Sequence, residues 1–426
     1  MSSPTIPSFR QLLVFETVAR TENVSRAAAA IHVSQPAVTQ AVARLEHQIG
    51  TPLFRRRNTG CYLTEAGEIV QRRTTRLFVQ LDQALAELGT GIPRVGPLDY
   101  RSIERKLSRP QIRALLAIAE NGSFAAAARA LAMSEPSIHR AARELERVVR
   151  RPLFQRTAHG LMATKAAAEL ARRVRLAVQE IERAVEEIEA SQGRSRGRIG
   201  LGLLPLAGAF FVARALKDVG EAYPETRVEV IDGSFDFLIE RLRSGGIDFI
   251  IGPVRGLDPN LGVVETVLFD DSYALVVRRG HPLTCKRQIR LQDLLAYDWV
   301  APPPDTPRRV AYDAILAELG RMPRSTLQTS SPNLTRAILT ETDCITLVSR
   351  HESHAEQEMG FLTVLPFAVP HRARQVQVTT RTDWLPTAVQ ARFLQALHDQ
   401  ARGLRGARSA ARAKVRGTAN VAPRIR

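Results

Sequence analysis

Side chains that donate and accept hydrogen bonds follow Ser34 at helical spacing. Thr39, Gln40, Arg44 and His47 fall on one face of a predicted helix. Such groups can bond to base edges and phosphates in the major groove of DNA. On an isolated helix a merely solvated face would be the simpler interpretation, because most surface helices carry one polar face. The choice therefore depends on the segments around this helix.

The start and the apolar stripe of this helix can be predicted from its sequence. Ser34 can cap the first turn with its hydroxyl, and Pro36 falls in that turn, where a missing N–H costs nothing. The buried face is predicted from apolar residues at spacings of four, three and four. These residues are Val38, Val42, Leu45 and Ile49.

The flanking segments predict a winged helix-turn-helix. Residues 24–31 indicate an alanine-rich helix that can pack closely and steeply, and a tight turn follows at His32. After the polar helix, residues 52–54 predict an apolar anchor, and three arginines mark a hairpin tip suited to phosphate or minor-groove contact. The DNA-binding residues predicted for this unit are Ser34, Gln35, Pro36, Thr39, Gln40, Arg44, Arg55, Arg56 and Arg57.

Four blocks of this stretch, residues 34–39, 44–46, 50–56 and 63–67, closely resemble the N-terminal motif of LysR-type transcriptional regulators. One departure is Asn23-Val24, where that family usually has Ser-Phe. The resemblance implies a sequence-specific transcription factor that is not an enzyme and needs no metal or cofactor. The implied partners are double-stranded DNA, a small-molecule effector and further copies of the chain, as a dimer or tetramer. RNA polymerase stays open as another partner.

The charge distribution favours a polyanion partner for the front of the chain only. The 426 residues carry a formal net charge of +17. Residues 1–200 hold 31 Lys and Arg against 19 Asp and Glu, whereas residues 201–399 hold 21 against 24. Cys61, Cys285 and Cys344 lack metal-ligand or redox-pair spacing, which predicts unpaired thiols. Without a secretory signal or a membrane-spanning run, the expected location is the cytoplasm, with no membrane partner.

Residues 109–168 repeat residues 9–68 at a constant offset of 100. The polar face differs between the copies, since Gln35, Thr39 and Arg44 correspond to Glu135, His139 and Glu144. Carboxylates would repel phosphate, yet nearby arginines keep the surface basic. Three roles stay open for the second copy: a DNA reader with altered specificity, a non-specific phosphate contact, or a structural partner of the first copy. Its predicted DNA-binding residues are His139, Arg140 and Arg143.

A long amphipathic helix is predicted after each copy, at residues 65–88 and 166–192. In LysR-type proteins, which these segments resemble, such helices pair antiparallel between subunits. Because this chain has two of them, pairing within one chain also becomes possible.

From residue 198, strands and helices alternate, which predicts a parallel sheet with helices on both faces. Short pieces such as residues 242–248 and 281–283 resemble the LysR-type effector domain, which is similar to two-lobed periplasmic solute-binding proteins. Residues 248–253 and 380–386 resemble the branch of the family associated with sugar-binding-protein and sugar-catabolic genes. A sugar or another small metabolite is therefore the expected effector.

Ligands of open α/β sheets bind beyond the carboxyl ends of the strands. This rule predicts an effector site at Pro205, Leu206, Ala207, Ser234, Phe235, Pro253, Val254, Ser331 and Asn333. Each choice has a structural alternative, since Ser331 could simply cap a helix and Phe235 could lie in the core. The first loop lacks the hydroxyl residue that many relatives carry there, which disfavours a carboxylate held by a loop serine.

Two other functions compete with this interpretation. An enzyme could use His351 and His354, which are three positions apart, but no third metal ligand is evident and no nucleophile or phosphate-loop motif is present. A secreted solute-binding protein would need a signal peptide and has no use for a basic front half.

The predicted organisation is multidomain, with two α-helical winged helix-turn-helix domains and long linker helices before a two-lobed α/β effector domain. The boundaries are 9–66 for the first winged domain, 67–108 for its linker helix and connector, 109–166 for the second winged domain, 167–197 for the second linker helix and hinge, 198–404 for the effector domain, and 405–426 for a basic disordered tail.

Overall fold

The structure is a computed structural model that describes residues 8–88, 107–157, 160–193, 196–204, 208–304, 306–320, 326–369 and 374–418. The chain divides into two compact units between residues 194 and 195. Unit 1 is helical with two small hairpins, and unit 2 contains two five-stranded sheets.

Unit 1 repeats one series of elements. The first series is α1 Phe9–Thr21, α2 Val24–Ala30, α3 Gln35–Ile49, β1 Phe54–Arg57, β2 Gly60–Leu63 and α4 Glu65–Glu87. The second is α5 Arg109–Asn121, α6 Phe124–Leu131, α7 Glu135–Val149, β3 Phe154–Thr157, β4 Gly160–Ala163 and α8 Lys165–Ser191.

Side-chain caps explain where several of these helices begin. Asn23 Oδ1 accepts the N–H of Arg26 at 3.0 Å, and in the second copy Ser123 Oγ accepts the N–H of Ala126 at 3.2 Å. The two residue types therefore satisfy the same orphan N–H group. This equivalence accounts for half of the departure from the family pattern at positions 23 and 24.

The long helices α4 and α8 pack against each other within unit 1. The predicted apolar stripes are buried in this seam: Leu77, Leu81 and Leu85 on α4, and Val174, Val178, Ile181 and Ile188 on α8. The arginine of α4 at position 73 is fully buried there and donates to Glu180 Oε2 at 2.7 Å and, through Nε, to Glu187 Oε1 at 3.0 Å. The pairing of linker helices within one chain, left open by the sequence, is present in this structure.

Unit 2 is made of two lobes. Its helices are α9 Ala209–Ala222, α10 Phe235–Arg243, α11 Pro307–Leu319, α12 Pro332–Glu341, α13 Arg350–Glu358 and α14 Ala388–Thr418. Its strands are β5 Arg196–Leu203, β6 Glu225–Asp232, β7 Phe249–Pro253, β8 Val263–Asp271, β9 Tyr273–Arg278, β10 Trp299–Ala301, β11 Thr326–Gln328, β12 Ile345–Ser349, β13 Leu362–Val364 and β14 Arg374–Arg381. Lobe A contains the sheet β6-β5-β7-β14-β8, and lobe B contains β11-β10-β12-β9-β13.

Both sheets are mixed, so the prediction of a parallel sheet was wrong in part. In lobe A, β5 pairs parallel with β6 and β7, but β14 pairs antiparallel with β7 and β8. In lobe B, β9 is antiparallel to both β12 and β13. The reason is that the chain enters lobe B through β9 and returns through β14, and each crossing strand runs against its neighbours. Local alternation of strands and helices carries no information about such crossings.

The tail prediction also needs correction. Helix α14 continues to Thr418, so the segment from residue 405 is helical as far as that residue and not disordered. Its alternation of Ala and Arg combines two good helix formers, and this propensity outweighs the low hydrophobicity on which the prediction rested. Among the described helices, none has both the length and the apolar character required to cross a bilayer.

A buried ion pair closes lobe A. Arg381 Nη1 donates to the carbonyls of Leu242 at 2.8 Å and Ile247 at 2.7 Å, and its Nη2 lies 3.5 Å from Asp248 Oδ1. The other oxygen of Asp248 accepts the N–H of Gly200 at 2.9 Å. These contacts join residues 248–253 and 380–386, the two stretches that resemble the sugar-related branch. Asp248 and Arg381 therefore have a structural role.

Candidate functional site

The predicted polar face of α3 is at the surface of unit 1. Gln35, Gln40 and Arg44 are exposed, while the opposite stripe of Val38, Val42 and Leu45 is buried. Ser34 and Pro36 are exposed at the start of the helix, where Ser34 Oγ accepts the N–H of Ala37 at 3.4 Å. The serine is thus the N-cap of α3.

Thr39 differs from its neighbours because it is only half-exposed. It lines a depression between α3 and the hairpin, together with Val24, Val42, Phe54 and Arg56. Thr39 therefore lies at the edge of the polar face that borders the hairpin.

The three arginines of the hairpin do not share one face. Strand β1 pairs antiparallel with β2, with Arg55 opposite Tyr62, Arg56 opposite Cys61 and Arg57 opposite Gly60. Side chains alternate along a strand, so Arg55 and Arg57 point to one side and Arg56 to the other. All three are exposed, but Arg56 also lines the depression next to Thr39.

Glu46 fixes the hairpin to α3, a role that the sequence analysis missed. Its Oε1 atom accepts the N–H groups of Leu53 at 2.7 Å and Phe54 at 3.2 Å. Glu146 makes the same pair of bonds in the second copy, to Leu153 at 2.7 Å and Phe154 at 3.0 Å. The signal was present, because the glutamate keeps its distance from Leu-Phe in both repeats.

We expect Glu46→Ala to lower the free energy of unfolding of unit 1 by about 1–3 kcal/mol, because two N–H groups next to buried side chains lose their acceptor. Glu46→Gln keeps an acceptor oxygen and should lose less. Urea unfolding followed by far-UV circular dichroism measures both variants. Equal stability of the alanine variant and the wild type would show that the hairpin does not depend on this carboxylate.

The second copy presents a different surface. His139 is half-exposed and stacks on Phe124, with ring centroids 4.5 Å apart and planes inclined by 23°, and its Nε2 lies 3.6 Å from Glu135 Oε1. Arg140 and Arg143 are exposed on α7. The positions equivalent to Phe124 and His139 are Val24 and Thr39 in the first copy. Since Phe124 and His139 contact each other, these two sequence differences replace a single packing contact. His139 is engaged with its own unit, whereas the two arginines are available.

Comparison with known proteins agrees with this architecture. The family described as "Bacterial regulatory helix-turn-helix protein, lysR family" matches residues 9–68 and again 110–168, and the "LysR substrate binding domain" matches residues 192–402. The HTH-type transcriptional regulator GalR of Pseudomonas putida is 31% identical over 387 residues, which covers 90% of this chain and 95% of that protein. The chain belongs to the LysR family. It is a LysR-type transcriptional regulator with a DNA-binding helix-turn-helix domain and an effector-binding domain, and its partners are DNA and a small-molecule effector.

Two further matches differ in extent. The HTH-type transcriptional regulator GbpR of Rhizobium radiobacter is 34% identical over 243 residues, 56% of this chain and 80% of that protein. The crystal structure of full-length CbnR complexed with its target DNA aligns with 69% of this chain and 100% of that chain, at 18% identity and a TM-score of 0.48. The match to GalR covers all but about a tenth of this LysR-type regulator. The uncovered part is shorter than either helix-turn-helix repeat, so the match includes at least part of both repeats.

The predicted effector residues of unit 2 have mixed surroundings. Ser234 Oγ accepts the N–H of Phe237 at 3.4 Å, and Ser331 Oγ accepts that of Leu334 at 3.2 Å, so both serines cap helices. Asn333 is exposed in the first turn of α12, and Pro253 is buried in β7. Phe235 is half-buried with the guanidinium of Arg255 5.1 Å from its ring centroid, and Val254 donates its N–H to Gln375. Pro205, Leu206 and Ala207 lie outside the described residues.

Sequence reasoning did not find the polar groups at the junction of the two lobes, which we call the junction cluster: Asp271, Tyr273, Arg308, Ser349, Glu352 and Arg374. Ser349 Oγ donates to Asp271 Oδ2, and Arg374 Nη2 lies 3.3 Å from the same oxygen. Gly208, before α9 of lobe A, donates its N–H at 3.1 Å to Glu352 Oε1 on α13 of lobe B. These residues are far apart in sequence, so no motif marks them.

Burial shifts two ionisations in the junction cluster. Burial raises the pKa of Glu352 to about 7, although the Arg374 guanidinium and the N–H of Gly208 oppose the shift. Burial, with repulsion from Arg374, lowers the pKa of Arg308 to about 10. Glu352 Oε2 is enclosed and has no hydrogen-bond partner among the described residues. The junction cluster is therefore a buried, charged region where the two lobes of unit 2 meet.

In the described ranges, no three His, Cys, Asp or Glu side chains come together as metal ligands. The side chain of His354 lies outside the described part of the chain. His351 packs its ring against Phe269, 5.8 Å between centroids, and donates its backbone N–H to Asp271 Oδ1 at 3.3 Å.

Proposed function

We propose that this LysR-type regulator binds a promoter through a winged helix-turn-helix made of residues 9–66. Gln40 and Arg44 reach base edges from α3, with Gln35 and Thr39 beside them, and Arg55 and Arg57 of the hairpin contact the backbone. The exposed face of Gln40 and Arg44 above a fully buried stripe is the observation that carries this proposal. The repeat at 109–166 is proposed as a second winged unit that contacts DNA through Arg140 and Arg143.

The proposed sensor is residues 198–404, as two lobes like those of periplasmic binding proteins, with an effector between them. The starts of α10 and α12 contribute Ser234, Phe235 and Asn333, and the junction cluster supplies charge. A sugar or another small metabolite fits the polar surroundings. An effector that prefers one arrangement of the lobes shifts the regulator between two DNA-binding states by its differential affinity. Assembly into a dimer or tetramer and contact with RNA polymerase complete the proposal.

We expect Gln40→Ala combined with Arg44→Ala to weaken binding to the promoter upstream of the regulator's own gene by at least about ten-fold, since one good base contact contributes about 1–3 kcal/mol. Affinity for a scrambled duplex should change much less, because it depends on phosphate contacts. Fluorescence anisotropy at fixed, moderate salt measures both affinities, and circular dichroism checks the fold.

Arg227→Ala is the matched control, because it removes an exposed positive charge from unit 2. Equal affinity of wild type and the double variant for the promoter would refute the assignment of the α3 face. No preference of the wild type for the promoter over the scrambled duplex would refute specific DNA recognition as a whole.

For the proposed sensor domain, thermal shifts of the full-length protein with a panel of sugars and small acids identify the class of ligand.

A further inference from the structure

The contacts between α4 and α8 follow an internal two-fold symmetry to within about one helical turn. Arg73 of α4 bonds to Glu187 of α8, and the repeat equivalent of that arginine, Arg173, bonds to Gln83 of α4 at 3.4 Å. Gln80 and Glu180 are also equivalent positions, and Gln80 Nε2 donates to Glu180 Oε1 at 3.4 Å. Helix positions that ascend on α4 meet positions that descend on α8, so the helices are antiparallel with a pseudo-two-fold axis near Gln80 and Glu180.

The charges near this axis favour pairing of unlike copies. Glu180 is 1% exposed and is reached by Arg73 at 2.7 Å and Arg76 at 3.5 Å. In a pair of two α8 helices with the same geometry, Glu180 would face its own copy, and two buried carboxylates repel each other strongly. In a pair of two α4 helices, Arg73 would meet Gln80 where it now meets a carboxylate. The α4–α8 pair therefore places a single carboxylate, Glu180, at the axis and gives it two arginines of the other helix, Arg73 and Arg76.

The connector between α4 and α5 favours pairing of the long helices within one chain over pairing between two chains. Residues 88–108 connect the end of α4 to the start of α5. Two binding surfaces joined by a tether of this length meet at an effective concentration on the order of millimolar. A regulator present at far lower concentration therefore pairs its own helices first, and the apolar seam is then already buried within the single chain.

We infer that one chain forms, by itself, a complete two-unit DNA-binding head for a pair of non-identical half-sites. Its DNA-binding part rests on the proposed function. The α4–α8 pair holds two recognition helices about the pseudo-two-fold axis, and these helices carry different side chains. Gln40 on α3 corresponds to Arg140 on α7, and Arg44 corresponds to Glu144. The partner is accordingly an asymmetric duplex, in which the two halves of the site differ in sequence.

Chemical cross-linking tests the pairing on the full-length protein. Gln83→Cys and Arg173→Cys are introduced after Cys61→Ala, Cys285→Ser and Cys344→Ser, and a short bismaleimide is added at micromolar protein. The expected product keeps the mass of one chain on a denaturing gel and contains a peptide pair linked through positions 83 and 173. Gln83→Cys alone is the control and should give no such link. A dominant product of twice the mass, or no link between the two positions, would overturn pairing within one chain.

Selection from a random duplex pool tests the asymmetric site. The full-length protein should enrich a motif with two unlike halves. Gln40→Ala should erase the preference in one half only and Arg140→Ala, at the equivalent position, in the other half only. A site whose two neighbouring halves are identical, or loss of both halves with one substitution, would overturn the inference. If no motif is enriched while the cross-link forms within one chain, the proposed DNA recognition fails but the pairing stands.

Discussion

Arg73→Ala is expected to lower the free energy of unfolding of unit 1 by about 3–5 kcal/mol, because removing one member of a buried ion pair leaves the other charge buried without its partner. The Arg73 side chain is 0% exposed, and its loss leaves Glu180, 1% exposed, with weaker contacts to Arg76 and Arg183 at 3.5 and 3.8 Å. Arg72→Ala is the matched control. Its side chain is 54% exposed and pairs with the same helix through Glu187, so the expected loss is below about 1 kcal/mol.

The positions of the tryptophans make this measurement selective. Trp299 and Trp384 both lie in unit 2, so tryptophan fluorescence follows that unit, while far-UV circular dichroism also follows helical unit 1. Arg73→Ala should shift the circular dichroism transition to lower urea and leave the fluorescence transition in place. A shift no larger than that of Arg72→Ala would mean that the buried ion network contributes little to unit 1.

Glu352→Gln is expected to stabilise unit 2 above pH 7, by up to about 3 kcal/mol, and to flatten its pH dependence. The pKa of Glu352 is raised to about 7 in the folded protein, from 4.5 when it is unperturbed. The folded state therefore holds its proton more tightly than the unfolded chain does. The stability from this group is fully present below about pH 4.5 and is lost as the pH rises towards 7.

Tryptophan fluorescence during urea unfolding between pH 5 and 8.5 measures this effect. The wild type should lose stability in unit 2 over this range relative to the glutamine variant, and the two should converge near pH 5. Glu356→Gln is the control on the same helix, since that carboxylate pairs with Arg336 away from the junction cluster. Parallel pH profiles for the wild type and Glu352→Gln would show that Glu352 is ionised normally in the folded state.

Local patterns predicted much of unit 1. The stripe of Val38, Val42 and Leu45 is buried, and Ser34 caps α3 as expected from its type and position. The prediction of DNA-contacting arginines was coarser, because the sequence did not reveal that β1 turns Arg56 away from Arg55 and Arg57. The orientation of such side chains depends on strand register, which the sequence alone does not give.

Long-range contacts limited the rest. His139 matched the polar face by repeat alignment, but its ring stacks on Phe124, which only the packing of α6 against α7 determines. The mixed sheets of unit 2 depend on crossings between lobes, and the junction cluster collects residues from β8, α11, α13 and β14. Neither periodicity nor spacing encodes contacts at these sequence separations.

The separate encoding of α3 and α7 has an evolutionary consequence. In a homodimer, one codon change alters the recognition helix twice, so both halves of the operator must adapt together. In the proposed two-unit head, a mutation in one recognition helix leaves the other copy intact, so a variant keeps its affinity for one half-site while its preference for the other half-site changes. Drift of target genes can therefore proceed by single, individually tolerated steps.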